Sequence, residues 1–159
     1  MPQILAEPAR EIAIGIRPAL LRDIPQILAI ERLTFGEQWD YHQFRASLDD
    51  IFLVAVDGAN AEIVGFVIAC CCLVSRRGLI SRIAVHPAYQ GRGIATRLLT
   101  QACQGLKKKG LLEVDLDVDI LKAGARHLYE KLGFRVVEVF TPDIEDEDSF
   151  YLMRKKLDP

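Results

Sequence analysis

The sequence predicts one α/β domain in which a mixed β-sheet carries helices on both faces. Short apolar runs rich in Val and Ile alternate along the chain with segments of helical periodicity. Two neighbouring runs are joined by a short turn, which predicts an antiparallel hairpin within that sheet. The chain has 159 residues, of which 50% are hydrophobic, enough for one sizeable core. We therefore expect a single domain over residues 1–159, with residues 1–10 as a flexible tail.

The first half of the chain predicts four strands and two helices. The strands are "IAIGIR" from Ile12 to Arg17, "FLVAVD", "IVGFVIACCCLV" and "GLISRIAV", and residues 57–60 form the turn of the hairpin. A first helix begins at Asp23, because Asp23 and Gln26 have the spacing of a capping box. Its expected apolar stripe consists of Ile24, Ile27, Leu28 and Leu33. A second, shorter helix lies in "WDYHQFRASL", with Asp40 as its expected N-cap.

The second half predicts two helices and three strands. One helix runs from about Gly93 to Lys109, and the other is "AGARHLYEKL", which Gly133 ends as a left-handed cap. The strands are "LLEVDLDVD", "FRVVEVF" and "SFYLMRKKL", and the acidic loop "TPDIEDED" divides the last two.

Composition and charge narrow the possible partners. The chain has 20 Lys and Arg against 22 Asp and Glu, a formal net charge of -2, so no basic field indicates nucleic acid or an anionic membrane surface. The longest apolar stretch, from Ile63 to Val74, is shorter than the ~20 residues that span a bilayer. The first residues lack the basic start and apolar run of a secretory signal. We expect a cytoplasmic protein that binds neither nucleic acid nor membrane.

The cysteines and histidines do not predict a metal site. Cys70, Cys71 and Cys72 are consecutive on a predicted strand, where neighbouring side chains point to opposite faces, and Cys103 stands alone on a helix. The three histidines lack the spacing of a metal-ligand set. We expect no metal, and small buried thiols.

A glycine-bearing turn at the start of a helix is the strongest local signal. In "VHPAYQGRGIATRLL", from Val85 to Leu99, a strand ends and a helix begins around Gly91 and Gly93. Free N–H groups and the positive end of the helix dipole at such a point can bind phosphate oxygens. Alternatively, the glycines merely shape a loop. The lysine of a P-loop is missing, and Thr96 stands where a dinucleotide fingerprint needs its third glycine.

The wider pattern resembles a known family. "IAVHPAYQGRGIATRLL" resembles motif A of the GNAT acyltransferases, with Gln90, Gly93 and Ala95 at the signature positions. "ARHLYEKLGF", from Ala125 to Phe134, resembles the tyrosine-bearing motif B of the same family. The RimI-like branch, which acetylates protein N-termini, is the most similar. The resemblance implies the GNAT fold and acetyl-CoA as co-substrate.

The resemblance also implies how coenzyme A is held. Its pyrophosphate would lie on backbone N–H groups of the turn, contributed by Gly91, Arg92, Gly93, Ile94, Ala95 and Thr96. Gln90 precedes that turn, and Arg92 would add positive charge. Main-chain groups of Ile83, Ala84 and Val85 would pair with the pantetheine amides, in a gap between two diverging strands. Lys122 stands where many relatives have asparagine, so it either reaches the cofactor phosphates or is solvated.

One predicted strand has an acidic face. Glu113, Asp115, Asp117 and Asp119 alternate with apolar residues, and close carboxylates disfavour one another's ionisation, which suits one of them to act as a base. A face that meets solvent or basic partners is the alternative, and we favour it for Glu113 and Asp115. The resemblance implies Asp117 as the general base and Tyr129 as the general acid, although the branch has glutamate at the position of Asp117.

The acceptor end is predicted less sharply. Phe35, Trp39 and Tyr41 either line the acceptor cleft or belong to the core. The acidic loop would attract a cationic amine or is simply solvated; its carboxylates are Asp143, Glu145, Asp146, Glu147 and Asp148.

Taken with the resemblance, these features predict an N-acetyltransferase that moves the acetyl group of acetyl-CoA directly to a primary amine. The acceptor is a protein N-terminus, a lysine or a small polyamine-like molecule, and the protein is a monomer or a homodimer. Two alternatives stay open: a coenzyme A-binding sensor or interaction module with little catalysis, and an acyltransferase for longer chains.

Overall fold

The computed structural model describes residues 13–36, 38–141 and 148–157. The predicted tail and most of the acidic loop, including Asp143, Glu145, Asp146 and Glu147, lie outside these residues. The described elements are β1 (Ile14–Pro18), α1 (Ile24–Phe35), α2 (Tyr41–Ala46), β2 (Ile51–Asp57), β3 (Ile63–Cys72), β4 (Arg77–Val85), α3 (Ile94–Lys108), β5 (Glu113–Asp119), α4 (Ala123–Lys131), β6 (Arg135–Phe140) and β7 (Phe150–Lys156).

The strands form one mixed sheet in the order β1-β2-β3-β4-β5-β7-β6. β2 and β3 pair as the expected antiparallel hairpin, and β4 and β5 are parallel. The parallel pair is joined through α3, as a crossover connection requires. The prediction of a mixed α/β sheet is confirmed.

Helices cover both faces of this sheet. On one face, α3 buries Leu98, Ala102 and Leu106 at four-residue spacing, and α4 packs Tyr129 against the same core cluster. On the other face, α1 buries Ile24, Ile27 and Ile30 in a second cluster, which also contains Phe44 of α2. We call these the α3 face and the α1 face.

Two details of the predicted first helix are wrong. Asp23 does not cap α1, because its own backbone is already helical and its carboxylate accepts hydrogen bonds from Arg17 Nη1 and from the amide of Leu20, both at 2.7 Å. Gln26 instead accepts a hydrogen bond from the amide of Ile63 at 2.9 Å. Leu33 is 58% exposed, since the buried stripe of α1 continues through Ile30 and Glu31. The predicted cap of α2 is confirmed: Asp40 Oδ1 accepts a hydrogen bond from the amide of Gln43.

β4 and β5 diverge and thereby open the site. Their pairing is confined to Arg77–Leu79 on β4 and Glu113–Asp115 on β5, so the rest of each strand separates from the other. β4 also has a β-bulge: Ile80 pairs with Ala69 and Arg82 pairs with Ile68, which leaves Ser81 as the extra residue. The bulge changes which side chains of β4 face each side of the sheet.

Candidate active site

An open cleft of about 800 Å³ lies where β4 and β5 separate. Its walls come from the end of α1, the start of α3 and one side of α4. Of the predicted site residues, those that line it are Ile83, Ala84, Val85, Gln90, Gly91, Gly93, Ile94, Ala95, Thr96, Asp117, Lys122 and Tyr129. The fold thus brings the two sequence motifs and the acidic strand to one cleft.

The glycine turn leaves the start of α3 open. Gly91 and Gly93 both have φ +78°, a left-handed conformation that other residues adopt at a cost. A Cβ at either position would meet nothing within 4 Å, and no side chain caps the helix at Gly93. The first N–H groups of α3 lack intrahelical acceptors, and no side chain of the turn blocks them. The turn has the open backbone that a pyrophosphate needs.

Arg92 is the one predicted catalytic or cofactor-binding residue that does not line the cleft. It is exposed, and its guanidinium lies 5.4 Å from the ring centroid of Tyr89. Gln90 lines the cleft but also secures the turn, because its Nε2 donates to the carbonyl of Val85 at 3.1 Å.

A long-range hydrogen bond holds the turn against the rest of the sheet. The hydroxyl of Tyr89 donates to Asp57 Oδ2 at 2.7 Å, and the amide of Ala59 donates to Asp57 Oδ1 at 2.9 Å. These two hydrogen bonds lower the pKa of Asp57. The bond to Asp57 raises the pKa of Tyr89. Sequence reasoning missed this pair, because residues 57 and 89 are far apart in the chain and neither stands at a signature position.

Basic residues neutralise half of the acidic face of β5. Arg154 donates to both oxygens of Asp115, at 2.7 and 3.0 Å, and lies 3.3 Å from Glu113. Arg77 contacts Glu113 at 3.2 Å. Basic partners for Glu113 and Asp115 were the expected arrangement, although the sequence did not identify the arginines.

Asp117 differs from these two carboxylates. Among the residues that the structure describes, it has no hydrogen bond or ion pair, and its side chain opens to the cleft. Asp117 is exposed at the cleft, yet desolvation by its surroundings and, less strongly, the negative charge of Asp115 raise its pKa. The predicted mutual repulsion is present, but desolvation is the larger cause.

Tyr129 reaches the cleft from α4. Its half-buried ring packs edge-on against Phe134, with centroids 6.1 Å apart. Within the described part of the chain its hydroxyl has no hydrogen-bond partner, and burial raises its pKa. Leu116 and Val118 flank Asp117 and belong to the core of the α3 face, so by strand alternation Asp117 points to the α1 face. Tyr129 and Asp117 therefore approach the cleft from opposite faces of the sheet.

Comparison with known proteins decides the family. A model of the acetyltransferase (GNAT) family matches residues 21–134, a range that contains the glycine turn, the acidic strand and α4. The chain belongs to the GNAT family of acetyltransferases.

Individual relatives agree. An N-alpha-acetyltransferase of Saccharolobus solfataricus is 32% identical over 96% of this chain and 99% of its own length. The [ribosomal protein bS18]-alanine N-acetyltransferase of Haemophilus influenzae is 31% identical over 74% of this chain and 78% of its own. One chain of the crystal structure of the NatC complex bound to Gag peptide and CoA matches this chain with a TM-score of 0.82 and 21% identity. The match covers 91% of this chain and 99% of that one.

These relatives confirm the RimI-like assignment and the GNAT fold. The chain is an acetyl-CoA-dependent N-acetyltransferase, as the sequence predicted. Within residues 13–36, 38–141 and 148–157, no group of three or more His, Cys, Asp or Glu side chains could hold a metal ion, and no helix is long and apolar enough to cross a membrane.

The three aromatic residues that the sequence suggested for the acceptor cleft, Phe35, Trp39 and Tyr41, have different surroundings in this GNAT domain. Phe35 lines the cleft, whereas Trp39 packs against Phe44 in the α1-face core, with centroids 5.3 Å apart. Tyr41 begins α2, is exposed and does not line the cleft. The ammonium of Lys122 lies 5.5 Å from the ring centroid of Phe35, so this cation stands at the α1 side of the cleft. Asp148, the one described carboxylate of the acidic loop, is exposed.

Proposed function

We propose that this GNAT enzyme acetylates the α-amino group of peptide or protein N-termini by direct transfer, with Asp117 as general base and Tyr129 as general acid. The observation that carries the proposal is the pair itself. An un-neutralised carboxylate and a protonated phenol enter one cleft from opposite faces of the sheet. A base on the acceptor side and an acid on the cofactor side are what transfer from a thioester to an amine requires.

The cofactor site is proposed on the backbone. Gly91, Gly93 and Thr96 bracket the free N–H groups that would hold the pyrophosphate. The stretch from Ile83 to Val85 has no strand partner on the β5 side, so its main-chain groups there are available to pantetheine amides, apart from the Val85 carbonyl, which already accepts a hydrogen bond from Gln90 Nε2. The side chains of Lys122, which lines the cleft, and of Arg92, which is exposed on the turn, would supply charge rather than specific contacts.

The reaction proceeds in three linked steps. Asp117 takes a proton from the acceptor ammonium, directly or through water, since aspartate is one methylene shorter than the glutamate of the branch. The neutral nitrogen forms a bond to the thioester carbonyl carbon. The bond from that carbon to sulfur breaks, and Tyr129 gives its proton to the departing thiolate, which leaves as coenzyme A. The new amide nitrogen releases its surplus proton to water, and the Tyr129 phenolate takes a proton back from water.

Acid–base chemistry favours an α-amine as acceptor. An α-amino group has a pKa of roughly 8 and a lysine side chain one of about 10.4, so about two hundred times more of the α-amine is neutral near pH 7. A carboxylate base has less proton-transfer work to do for such a nucleophile. The names of the relatives support the same acceptor: N-alpha-acetyltransferase, and a NatC complex bound to a peptide.

A matched peptide pair tests the acceptor. One peptide has a free N-terminus and acetylated lysines, and the other has a blocked N-terminus and free lysines; spermidine is the small-molecule arm. We expect coenzyme A release and a mass gain of one acetyl group with the first peptide only. Equal or faster acetylation of the lysine peptide or of spermidine would contradict the proposal.

A cytoplasmic location, a single domain over the whole chain and the choice between monomer and homodimer stay predictions.

A further inference from the structure

A buried ion pair lies beside the cleft and takes no part in the chemistry above. Glu31 of α1 has 0% of its side chain exposed. Arg82 donates hydrogen bonds to both of its carboxylate oxygens, from Nε to Oε1 at 3.0 Å and from Nη2 to Oε2. Arg82 itself is 14% exposed and lines the cleft. Taking two charges out of water costs free energy that their attraction does not fully return, so a buried pair of this kind adds little stability.

The bulge in β4 creates the pair. Ile80 belongs to the core of the α3 face and Ala84 to the core of the α1 face. In a regular strand residues 80, 82 and 84 would share one face. The extra residue Ser81 breaks the alternation and turns Arg82 toward α1, where Glu31 meets it.

The pair also holds aromatic residues and a stretch of backbone. The guanidinium of Arg82 lies 4.0 Å from the ring centroid of Phe35 and 5.4 Å from that of Trp39. The second oxygen of Glu31 accepts a hydrogen bond from the amide of Trp39 at 3.3 Å, and Arg82 Nη2 donates to Gln38 Oε1 at the same distance. The end of α1 and the chain that follows it are thus tied to β4 through one charge pair.

We propose that Glu31 and Arg82 are positioning residues that fix Phe35 as the acceptor-side wall of the cleft and tie the backbone at Trp39 to β4. This assignment of the acceptor side rests on the proposed function, because it places the amine on the α1 face with Asp117. The proposed cofactor path uses the backbone of the glycine turn and of Ile83–Val85, whereas the side chains of the pair lie on the α1 face, so the pair acts on acceptor binding and alignment.

The test uses two variants, because a single change leaves a buried charge. Arg82→Met roughly preserves the length of the side chain but leaves the buried Glu31 carboxylate without its positive partner. An unpaired buried charge of this kind can unfold the chain. The double variant E31Q/R82M removes both charges and is the informative one. The control is R17M/D23N, which removes another ion pair, that of Arg17 with the 4% exposed Asp23, away from the cleft.

Two readouts separate positioning from general damage. For E31Q/R82M we expect the KM of the acceptor peptide to rise about tenfold, which corresponds to ~1.4 kcal/mol of lost binding, while the KM of acetyl-CoA changes less than about twofold. Trp39 is the one tryptophan of the chain, and its amide and ring both contact the pair, so its acrylamide quenching reports on the segment that the pair holds; we expect quenching to increase. The control should leave both KM values and the quenching unchanged.

The proposal is overturned if the folded double variant keeps the wild-type acceptor KM and the wild-type quenching. It is also overturned if the two KM values rise together, which a loss of overall structure would produce. If wild type acetylates no α-amine, the proposed function fails; the Trp39 quenching of the double variant still decides whether the pair holds the segment at Trp39.

Discussion

Replacing Tyr129 by Phe isolates one hydroxyl group. The ring keeps its edge-on contact with Phe134 and its place beside the α3-face core. No hydrogen-bond partner within the described residues loses its bond when the hydroxyl is removed. We therefore expect the free energy of unfolding to change by less than about 0.5 kcal/mol. The variant is a clean probe of chemistry.

The expected effect on rate follows from the leaving group. General acid catalysis contributes roughly 10²- to 10⁴-fold. An alkyl thiol has a pKa of about 8.5, so its thiolate departs with less help than an amine or alkoxide would, and the loss should lie near the lower end. We predict that kcat falls about 100-fold in Tyr129→Phe, equivalent to ~2.7 kcal/mol of transition-state stabilisation.

The pH profile gives an independent check on the same residue. An acid must hold its proton, and burial raises the pKa of Tyr129 above its usual value near 10. Wild-type kcat should therefore hold up to about pH 10 and fall above it, whereas the variant should lack this alkaline limb. The assay follows free thiol from acetyl-CoA with saturating peptide. A kcat within about threefold of wild type, with the alkaline limb intact, would refute the acid role.

Three further predictions concern the rest of the cleft. Asp117→Asn should lower kcat/KM about 100-fold and remove an acid limb that lies above the usual carboxyl pKa, because the base works only once deprotonated; Asp119→Asn, on the same strand face, should do neither in a pH-rate series. Gly93→Ala and Gly110→Ala should each cost about 1 kcal/mol in chemical denaturation, since both have positive φ and open surroundings, but only Gly93→Ala should raise the KM of acetyl-CoA. Tyr89→Phe should raise the KM of acetyl-CoA and leave kcat unchanged, because the turn loses its hydrogen bond to Asp57. A fall in kcat as large as the rise in KM would contradict the role of Tyr89 in holding the turn.

Local signals account for the part of the site that the sequence predicted. The glycine turn, the N-cap Asp40 and the strand alternation around Asp117 depend on residues a few positions apart, so a short stretch of sequence is enough to predict each of them. The two motifs then supplied the family, and with it the distant arrangement of strands and helices.

The parts that the sequence missed depend on contacts between distant segments. Asp23 has the spacing of a cap, but its carboxylate instead accepts hydrogen bonds from Arg17 and from the amide of Leu20 in the turn before α1. Glu31 stands seven residues after Ile24 and four after Ile27, so helical spacing places it on the buried side of α1. Nothing local shows, however, that a bulge at Ser81 will turn Arg82 toward it. Bulge positions are set by the packing of the whole sheet, which a pattern of alternating residues cannot reveal.

The most direct test of the account compares wild type with the double variant D117N/Y129F in one assay. Both proteins receive acetyl-CoA and the peptide with a free N-terminus, and coenzyme A release is measured beside the thermal shift caused by acetyl-CoA. We expect peptide-dependent release by wild type, loss of that release in the variant, and an equal thermal shift in both. Release that persists in the variant would contradict the assignment of base and acid to Asp117 and Tyr129.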